Sequence, residues 1–164
     1  MFNRRRPNSS RGFSLIELLI VVTIILIIAA IAIPNLMRSK IQANETAAVG
    51  ALKALTEGAL LYSNTYNGFP HNLSDLGPTT GGTAPTSTSA DLIDAVLSAG
   101  TKSGYRFTWA PGAADPAGNV LSYTITATPV QVGSTGQRSF FTDQSGTIRA
   151  TSNGNADVTS PPIG

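Results

Sequence analysis

The stretch FSLIELLIVVTIILIIAAIAIP, residues 13–34, is almost wholly apolar. Over residues 18–33 only Thr23 is polar, and as a helix these residues would span about 24 Å. A bilayer core is about 30 Å thick, so a helix that crosses it has to begin near Phe13. That start includes Glu17, and a carboxylate at membrane depth costs about 2.5–3.5 kcal/mol on insertion scales unless it finds a partner. Residues 13–34 therefore predict a hydrophobic transmembrane helix with one acid that needs a partner.

A basic leader, residues 1–12, precedes this helix. Four of the 11 lysine and arginine residues lie in it, at Arg4, Arg5, Arg6 and Arg11. The rest of the chain is slightly acidic, so the formal net charge of +2 comes from the leader. Because positive flanks tend to stay on the cytoplasmic side of a membrane, we expect the chain beyond Pro34 to lie outside the cytoplasm.

The helix is predicted to continue as an amphipathic segment over residues 35–66, with Pro34 kinking it and not ending it. Apolar residues recur there at three- and four-residue steps, as on one face of a helix. This apolar stripe consists of Ala48, Ala51, Leu52, Leu55, Ala59, Tyr62 and Tyr66. The charged residues Arg38, Lys40, Glu45, Lys53 and Glu57 fall mostly off the stripe. We therefore expect one side of this half of the helix to pack on a domain.

Residues 67–151 are predicted to form that head domain. Gly68 and Pro70 are expected to stop the long helix, and residues 77–89 have the Gly, Pro, Thr and Ser content of a loop. Ser89 is the expected cap of a short helix that Gly100 closes.

Strands are predicted for the remainder of the head. Tyr105, Phe107 and Trp109 alternate with more polar or smaller residues, and residues 121–128 are rich in β-branched side chains. Residues 139–143 and 147–150 flank a short turn, which indicates a hairpin. A polar tail, residues 152–164, is expected to be loosely held. The predicted fold class is α+β, with the amphipathic half of a long N-terminal helix packed on a small antiparallel sheet.

The stretch RGFSLIELLIVV, residues 11–22, resembles the start of type IV pilins and type II secretion pseudopilins. The resemblance implies that a prepilin peptidase cuts between Gly12 and Phe13 and that the new amino terminus at Phe13 is N-methylated. It also implies an inner-membrane assembly platform, a lipid bilayer that holds the subunit before assembly, and a helical filament made of copies of this chain. Ser14 stands where many relatives have threonine.

The cut would place a free amine close to Glu17, and opposite charges in a medium of low dielectric attract strongly. The two groups lie one helical turn apart, so the amine of the same chain or of an axially displaced neighbour satisfies the carboxylate. The resemblance implies the neighbour. An acid paired only on assembly would set the register of subunit docking, as polar residues do in coiled-coil seams.

Two simpler interpretations of the N-terminus compete with this one. A secretory signal peptide would use Ala30, Ile31 and Ala32 as its cleavage site and would give a mature chain that starts at Ile33. A plain signal anchor would tether an unrelated ectodomain. Both leave Glu17 without an explanation inside the apolar run.

Composition argues against catalysis and nucleic-acid binding. The chain has no cysteine and one histidine, His71, which lies in a predicted turn and is expected to be solvated. No nucleophile elbow, Walker A loop or zinc-protease motif is present. Tyr105, Phe107 and Trp109 are expected to be core aromatics, because the chain after Pro34 lacks the basic excess that nucleic-acid binding requires. No cofactor is predicted, and Asp143 with Ser145 is a weak candidate for calcium, which takes six to eight oxygen ligands.

These observations predict a structural subunit of a type IV pilus or pilus-like filament. The alternative is a major-type pseudopilin in the fibre of a type II secretion system. In both cases the precursor resides in the inner membrane, and the mature subunit joins a cell-surface pilus or a periplasmic pseudopilus.

Overall fold

The computed structural model describes residues 12–163, so the leader upstream of Gly12 lies outside the described residues. Helix α1 spans Leu15–Tyr66, a 3-10 turn spans Leu73–Leu76 and helix α2 spans Ala95–Ser98. Five strands follow: β1 Thr101–Lys102, β2 Tyr105–Pro111, β3 Tyr123–Pro129, β4 Ser139–Asp143 and β5 Arg149–Thr151. The chain divides into two compact units, the first ending at Met37 and the second starting at Arg38.

Helix α1 confirms the predicted long helix, and Pro34 lies inside it without ending it. The kink at Pro34 stays a prediction. After Tyr66 the chain turns at Asn67, which has a φ of 58°. Asparagine tolerates this left-handed conformation, so Asn67 ends the helix one residue before the expected Gly68.

The core of the second unit lies between the apolar stripe of α1 and one face of the sheet. All stripe residues are buried except Tyr66, which is half-buried against the core. Tyr105, Phe107, Ile125 and Phe140 supply the opposing surface from the strands. Burying a leucine or an aromatic side chain of this kind contributes about 1.5–3 kcal/mol. The predicted packing of helix on sheet is therefore confirmed.

The sheet is antiparallel throughout, with the strands in chain order. Strand β2 lies where the period-two pattern predicts it, and β3 covers most of the predicted strand at residues 121–128. The predicted hairpin is present as β4 and β5. Strand β1 was not predicted. It joins β2 through Ser103 and Gly104, whose φ angles of 50° and 74° match the turn that favours two-residue hairpins.

The expected cap of the short helix is wrong. Helix α2 begins at Ala95, and the Oδ1 of Asp94 accepts the amide hydrogens of Val96 and Leu97 at 3.1 and 3.0 Å. Ser89 instead donates its hydroxyl to the carbonyl of Pro78 at 2.7 Å. The predicted closing residue Gly100 does adopt a left-handed conformation, with a φ of 79°.

The C-terminal tail is not loose, contrary to expectation. The amide of Ala150 in β5 donates to the carbonyl of Pro161 at 3.0 Å, and the amide of Ile163 donates to the carbonyl of Ile148 at 2.9 Å. The buried hydroxyl of Ser139 donates to the carbonyl of Gly154 and accepts from the amide of Ala156, both at 2.7 Å. The tail therefore covers the open edge of β5.

Candidate processing and assembly site

Glu17 has a local partner at the start of α1. Ser14 directly precedes the helix, and its carbonyl accepts the first helical hydrogen bond from Leu18 at 3.2 Å. The amide hydrogen of Ser14 is donated to the Oε2 of Glu17 at 2.9 Å. This contact is one arm of a capping box, in which an acid at the third helical position reaches back to the residue before the helix. The S-x-x-E spacing was visible in the sequence, but the capping role was not predicted.

The predicted cleavage pair lies immediately upstream of this cap. Gly12 and Phe13 are both exposed, and among the described residues no atom beyond the chain neighbours of Gly12 comes within 4 Å of the place where its Cβ would sit. The carboxylate of Glu17 thus reaches the residue next to the proposed new terminus at Phe13. The geometry brings Phe13, Ser14 and Glu17 together within one helical turn.

The first half of α1 presents an apolar surface with no cover in the described chain. The large apolar side chains from Leu15 to Met37 are between 45% and 82% exposed. By length and composition this helix is able to cross a membrane. The hydroxyl of Thr23 donates to the carbonyl of Leu19 at 2.8 Å, which satisfies it without water. A surface of this size requires lipid or another protein chain.

Glu45 is the important residue that the sequence analysis misplaced. The structure buries it on the packed side of α1, where it is only 7% exposed. Its Oε1 accepts the amide hydrogens of Gln137 and Arg138 at 2.9 and 3.1 Å, and its Oε2 pairs with the Nε of Arg138 at 2.8 Å. A spacing signal was available, because Glu45 lies four residues after Ile41 and three before Ala48, and both are buried.

The electrostatics of Glu45 follow from these contacts. Burial by itself raises the pKa of a carboxyl, but the amide of Gln137 and the charged side chain and amide of Arg138 outweigh burial. The pKa of Glu45 therefore lies below its ordinary value of 4.5. The neighbouring Asn44 adds a hydrogen bond from its Nδ2 to the carbonyl of Thr135 at 2.8 Å. Together these contacts fasten the β3–β4 connection to α1.

Asp143, the weak candidate for calcium binding, takes part in a turn. The Oδ1 of Asp143 accepts the amide hydrogen of Ser145 at 2.9 Å, so this carboxylate shapes the hairpin turn. Among residues 12–163 no group of three or more His, Cys, Asp or Glu side chains is placed to hold a metal ion. His71 is exposed, as expected.

The aromatic residues of β2 belong to the core, as predicted. Tyr105 and Phe107 are buried. The indole of Trp109 stacks on Tyr123 with ring centroids 4.4 Å apart, and its Nε1 donates to the carbonyl of Pro70 at 3.0 Å.

Residues 7–33 match the family model described as the prokaryotic N-terminal methylation motif. Residues 7–33 are called the methylation-motif segment below. Over 68 residues it is 38% identical to the type IV wide pilus major component PilA4 of Thermus thermophilus, covering 42% of this chain and 52% of that protein. Over 66 residues it is 33% identical to the type II secretion system core protein G of Escherichia coli, covering 40% and 46%. It is also 54% identical over 46 residues to the type IV major pilin PilA of Myxococcus xanthus, covering 28% and 21%.

The methylation-motif segment confirms the resemblance to type IV pilins and pseudopilins. The chain spans about half the length of the first two relatives, so the likeness is local. The motif and the apolar helix fit a membrane-anchored precursor that becomes a pilus or pseudopilus subunit. By name, these relatives are a major pilus component, a secretion-system core protein and a major pilin.

Proposed function

We propose that this chain is a structural subunit of a type IV pilus or a pilus-like filament. A prepilin peptidase cuts the precursor between Gly12 and Phe13, Phe13 is N-methylated, and the subunit polymerises through α1. The observation that carries the proposal is the exposed apolar half of α1 with a single carboxylate, Glu17, in its first turn. The role is structural and not catalytic.

The chemistry of Glu17 supports polymerisation over simple anchoring. In the uncut chain its carboxylate accepts one backbone hydrogen bond, from Ser14. A carboxylate keeps capacity for further donors, and a charge in an apolar stack requires a counter-charge. The amine of Phe13 from an adjacent copy supplies that charge only after cleavage. Processing thereby becomes a condition for assembly.

Before assembly, the apolar half of α1 is held by the bilayer of the inner membrane, with the head outside the cytoplasm. Removal of the leader leaves the helix free to exchange lipid contacts for contacts with other copies. An assembly platform in the inner membrane is the expected partner in this step.

Cleavage is tested by the mass of the subunit isolated from its native cell. We expect a mass that corresponds to an N-methylated phenylalanine terminus at Phe13. Gly12→Arg is expected to abolish maturation, because a bulky charged side chain does not fit a scissile position, whereas the small Gly12→Ala change serves as the matched control. A mature chain starting at Ile33, or mature protein from Gly12→Arg, contradicts the proposal.

The second candidate is a pseudopilin of a type II secretion system, and the similarity to core protein G favours it. Both candidates use the same N-terminal chemistry, so the location and length of the fibre distinguish them. Electron microscopy of a sheared surface fraction dominated by this chain indicates a pilus. Short fibres confined to the periplasm, together with a secretion defect in a deletion strain, indicate the pseudopilin.

A further inference from the structure

A cleft of about 310 Å³ lies in the second unit where α1 ends. Its walls include the aromatic rings of Tyr62, Tyr66 and Phe69, and the carboxylate of Asp75 lies beside them. None of its lining residues in the described part of the chain is a lysine or an arginine. Among the described residues the lining also includes the imidazole of His71, and its one acidic side chain is that of Asp75.

The aromatic walls are held in place by their neighbours. Tyr62 and Tyr66 are one helical turn apart on α1, with ring centroids at 4.6 Å. Phe69 packs edge-on against Tyr123 at 4.7 Å. The hydroxyl of Tyr62 donates to the carbonyl of Ser87 at 2.6 Å, which fixes the ring. Rings held in this way lose little conformational entropy when a ligand binds beside them.

Asp75 is a buried carboxylate with spare acceptor capacity. It is 8% exposed, and its Oδ2 accepts the amide hydrogen of Asn72 at 2.8 Å. Its Oδ1 accepts no hydrogen bond from any residue between positions 12 and 163. Burial raises the pKa of Tyr62, and the negative charge of Asp75 raises it further, so the carboxylate acts on the aromatic wall. A buried carboxylate with an unused acceptor oxygen favours a positively charged partner.

We propose that this cleft binds a small organic ammonium group of the choline type. Aromatic faces beside a carboxylate are the usual means of holding a quaternary ammonium in proteins. A neutral ligand such as a sugar would not gain the attraction between a cation and these rings and carboxylate. The site uses only residues of the second unit, and the proposal does not depend on filament formation.

The test compares choline with its neutral analogue, in which carbon replaces the charged nitrogen. Titration calorimetry on the full chain in a nonionic detergent measures both dissociation constants. We expect choline to bind at least about tenfold more tightly, because only the charged form gains the cation–π and carboxylate contacts. Equal binding of the two compounds, or competition by neutral monosaccharides, overturns the proposal.

Variants separate the cleft from general charge effects. Asp75→Asn is expected to remove the preference for choline, whereas Asp91→Asn removes one exposed negative charge outside the cleft and is expected to leave it unchanged. Tyr66→Ala is expected to weaken choline binding, and Tyr66→Phe, which keeps the ring, is expected to retain it. Near-ultraviolet circular dichroism of the Trp109–Tyr123 stack reports whether each variant is folded. If Asp91→Asn weakens binding as much as Asp75→Asn, or Tyr66→Ala binds normally, the proposal is wrong.

Discussion

Glu45 shows how one buried charge is tolerated in the core of the head. A carboxylate without partners would be expelled or neutralised, but three donors from residues 137 and 138 surround this one. The side chain of Arg138 is itself about half exposed and stacks over Phe140 with its guanidinium 5.4 Å from the ring centroid. The pair therefore joins α1 to the β3–β4 connection at a place where apolar packing alone would not define the chain path.

We expect Glu45→Gln to lower the free energy of unfolding by about 1–3 kcal/mol, the range for a lost charged hydrogen bond. The NH2 group of the new side chain is a donor, and it would face either the Nε of Arg138 or the backbone amides of Gln137 and Arg138, which are donors themselves. Glu57→Gln, at an exposed position on the same helix, is the matched control with an expected change near zero. Thermal unfolding of the full chain in nonionic detergent measures both. Equal stability of the two variants would contradict the anchoring role.

The same comparison has a predicted pH dependence. The pKa of Glu45 is lower in the folded chain than its ordinary value of 4.5, so its charge contributes stability that is complete well above pH 4.5. This contribution is lost as the pH falls through the lower folded pKa. The stability gap between the wild type and Glu45→Gln is therefore expected to be constant near neutral pH and to shrink below 4.5.

At the scale of elements, local patterns were sufficient for the parts of the fold that have a strong period. The apolar stripe of α1 and the alternation in β2 depend on residues that are close together in the chain, and both were predicted. Contacts between distant residues were not accessible in this way: Glu45 meets Arg138, 93 positions away. Strand β1 has only two residues, which are too few to show a period-two pattern, so it was not predicted. For the candidate site, the sequence indicated Gly12, Phe13 and Glu17, whereas the hydrogen bond from Ser14 to Glu17 is a finding of the structure.

The tail is the element whose removal has the clearest expected effect. Residues after Ser152 cover the edge of β5 and hold Ser139, which is buried in β4. A chain that stops at Thr151 would expose a strand edge with unpaired amide and carbonyl groups, which invites pairing with other chains. It would also leave the Ser139 hydroxyl without its partners, at a cost of about 1–3 kcal/mol.

We expect this truncated chain to unfold at a lower temperature and to self-associate in detergent, as measured by circular dichroism and light scattering. Asn153→Ala, at an exposed position in the same tail, is the control and is expected to behave like the wild type. A truncated chain that stays monomeric with an unchanged unfolding temperature contradicts the edge-covering role.

At the scale of the whole molecule, the two units differ in how their apolar side chains are covered. The unit that begins at Arg38 has its own apolar core and pairs the buried carboxylate of Glu45 internally. The unit that ends at Met37 exposes nearly all of its apolar side chains and leaves their cover to lipid or other chains. Under the proposed function, the membrane-bound monomer and the filament are the two states in which this apolar surface is covered.

The hydrogen bond from Ser14 makes it possible to separate the charge of Glu17 from its role as an acceptor. Glu17→Gln keeps an oxygen that accepts the Ser14 amide but removes the charge, whereas Glu17→Ala removes both. If pairing with the Phe13 amine of a neighbour drives docking, both precursors reach the membrane and are cleaved, yet filament yield falls at least about tenfold in cells without wild-type subunits. Thr23→Val removes the other polar side chain between Leu15 and Pro34 and is expected to assemble normally. Sheared-filament yield and the mass of the membrane-bound subunit give the answer, and normal filaments from Glu17→Gln would mean that the cap alone is sufficient.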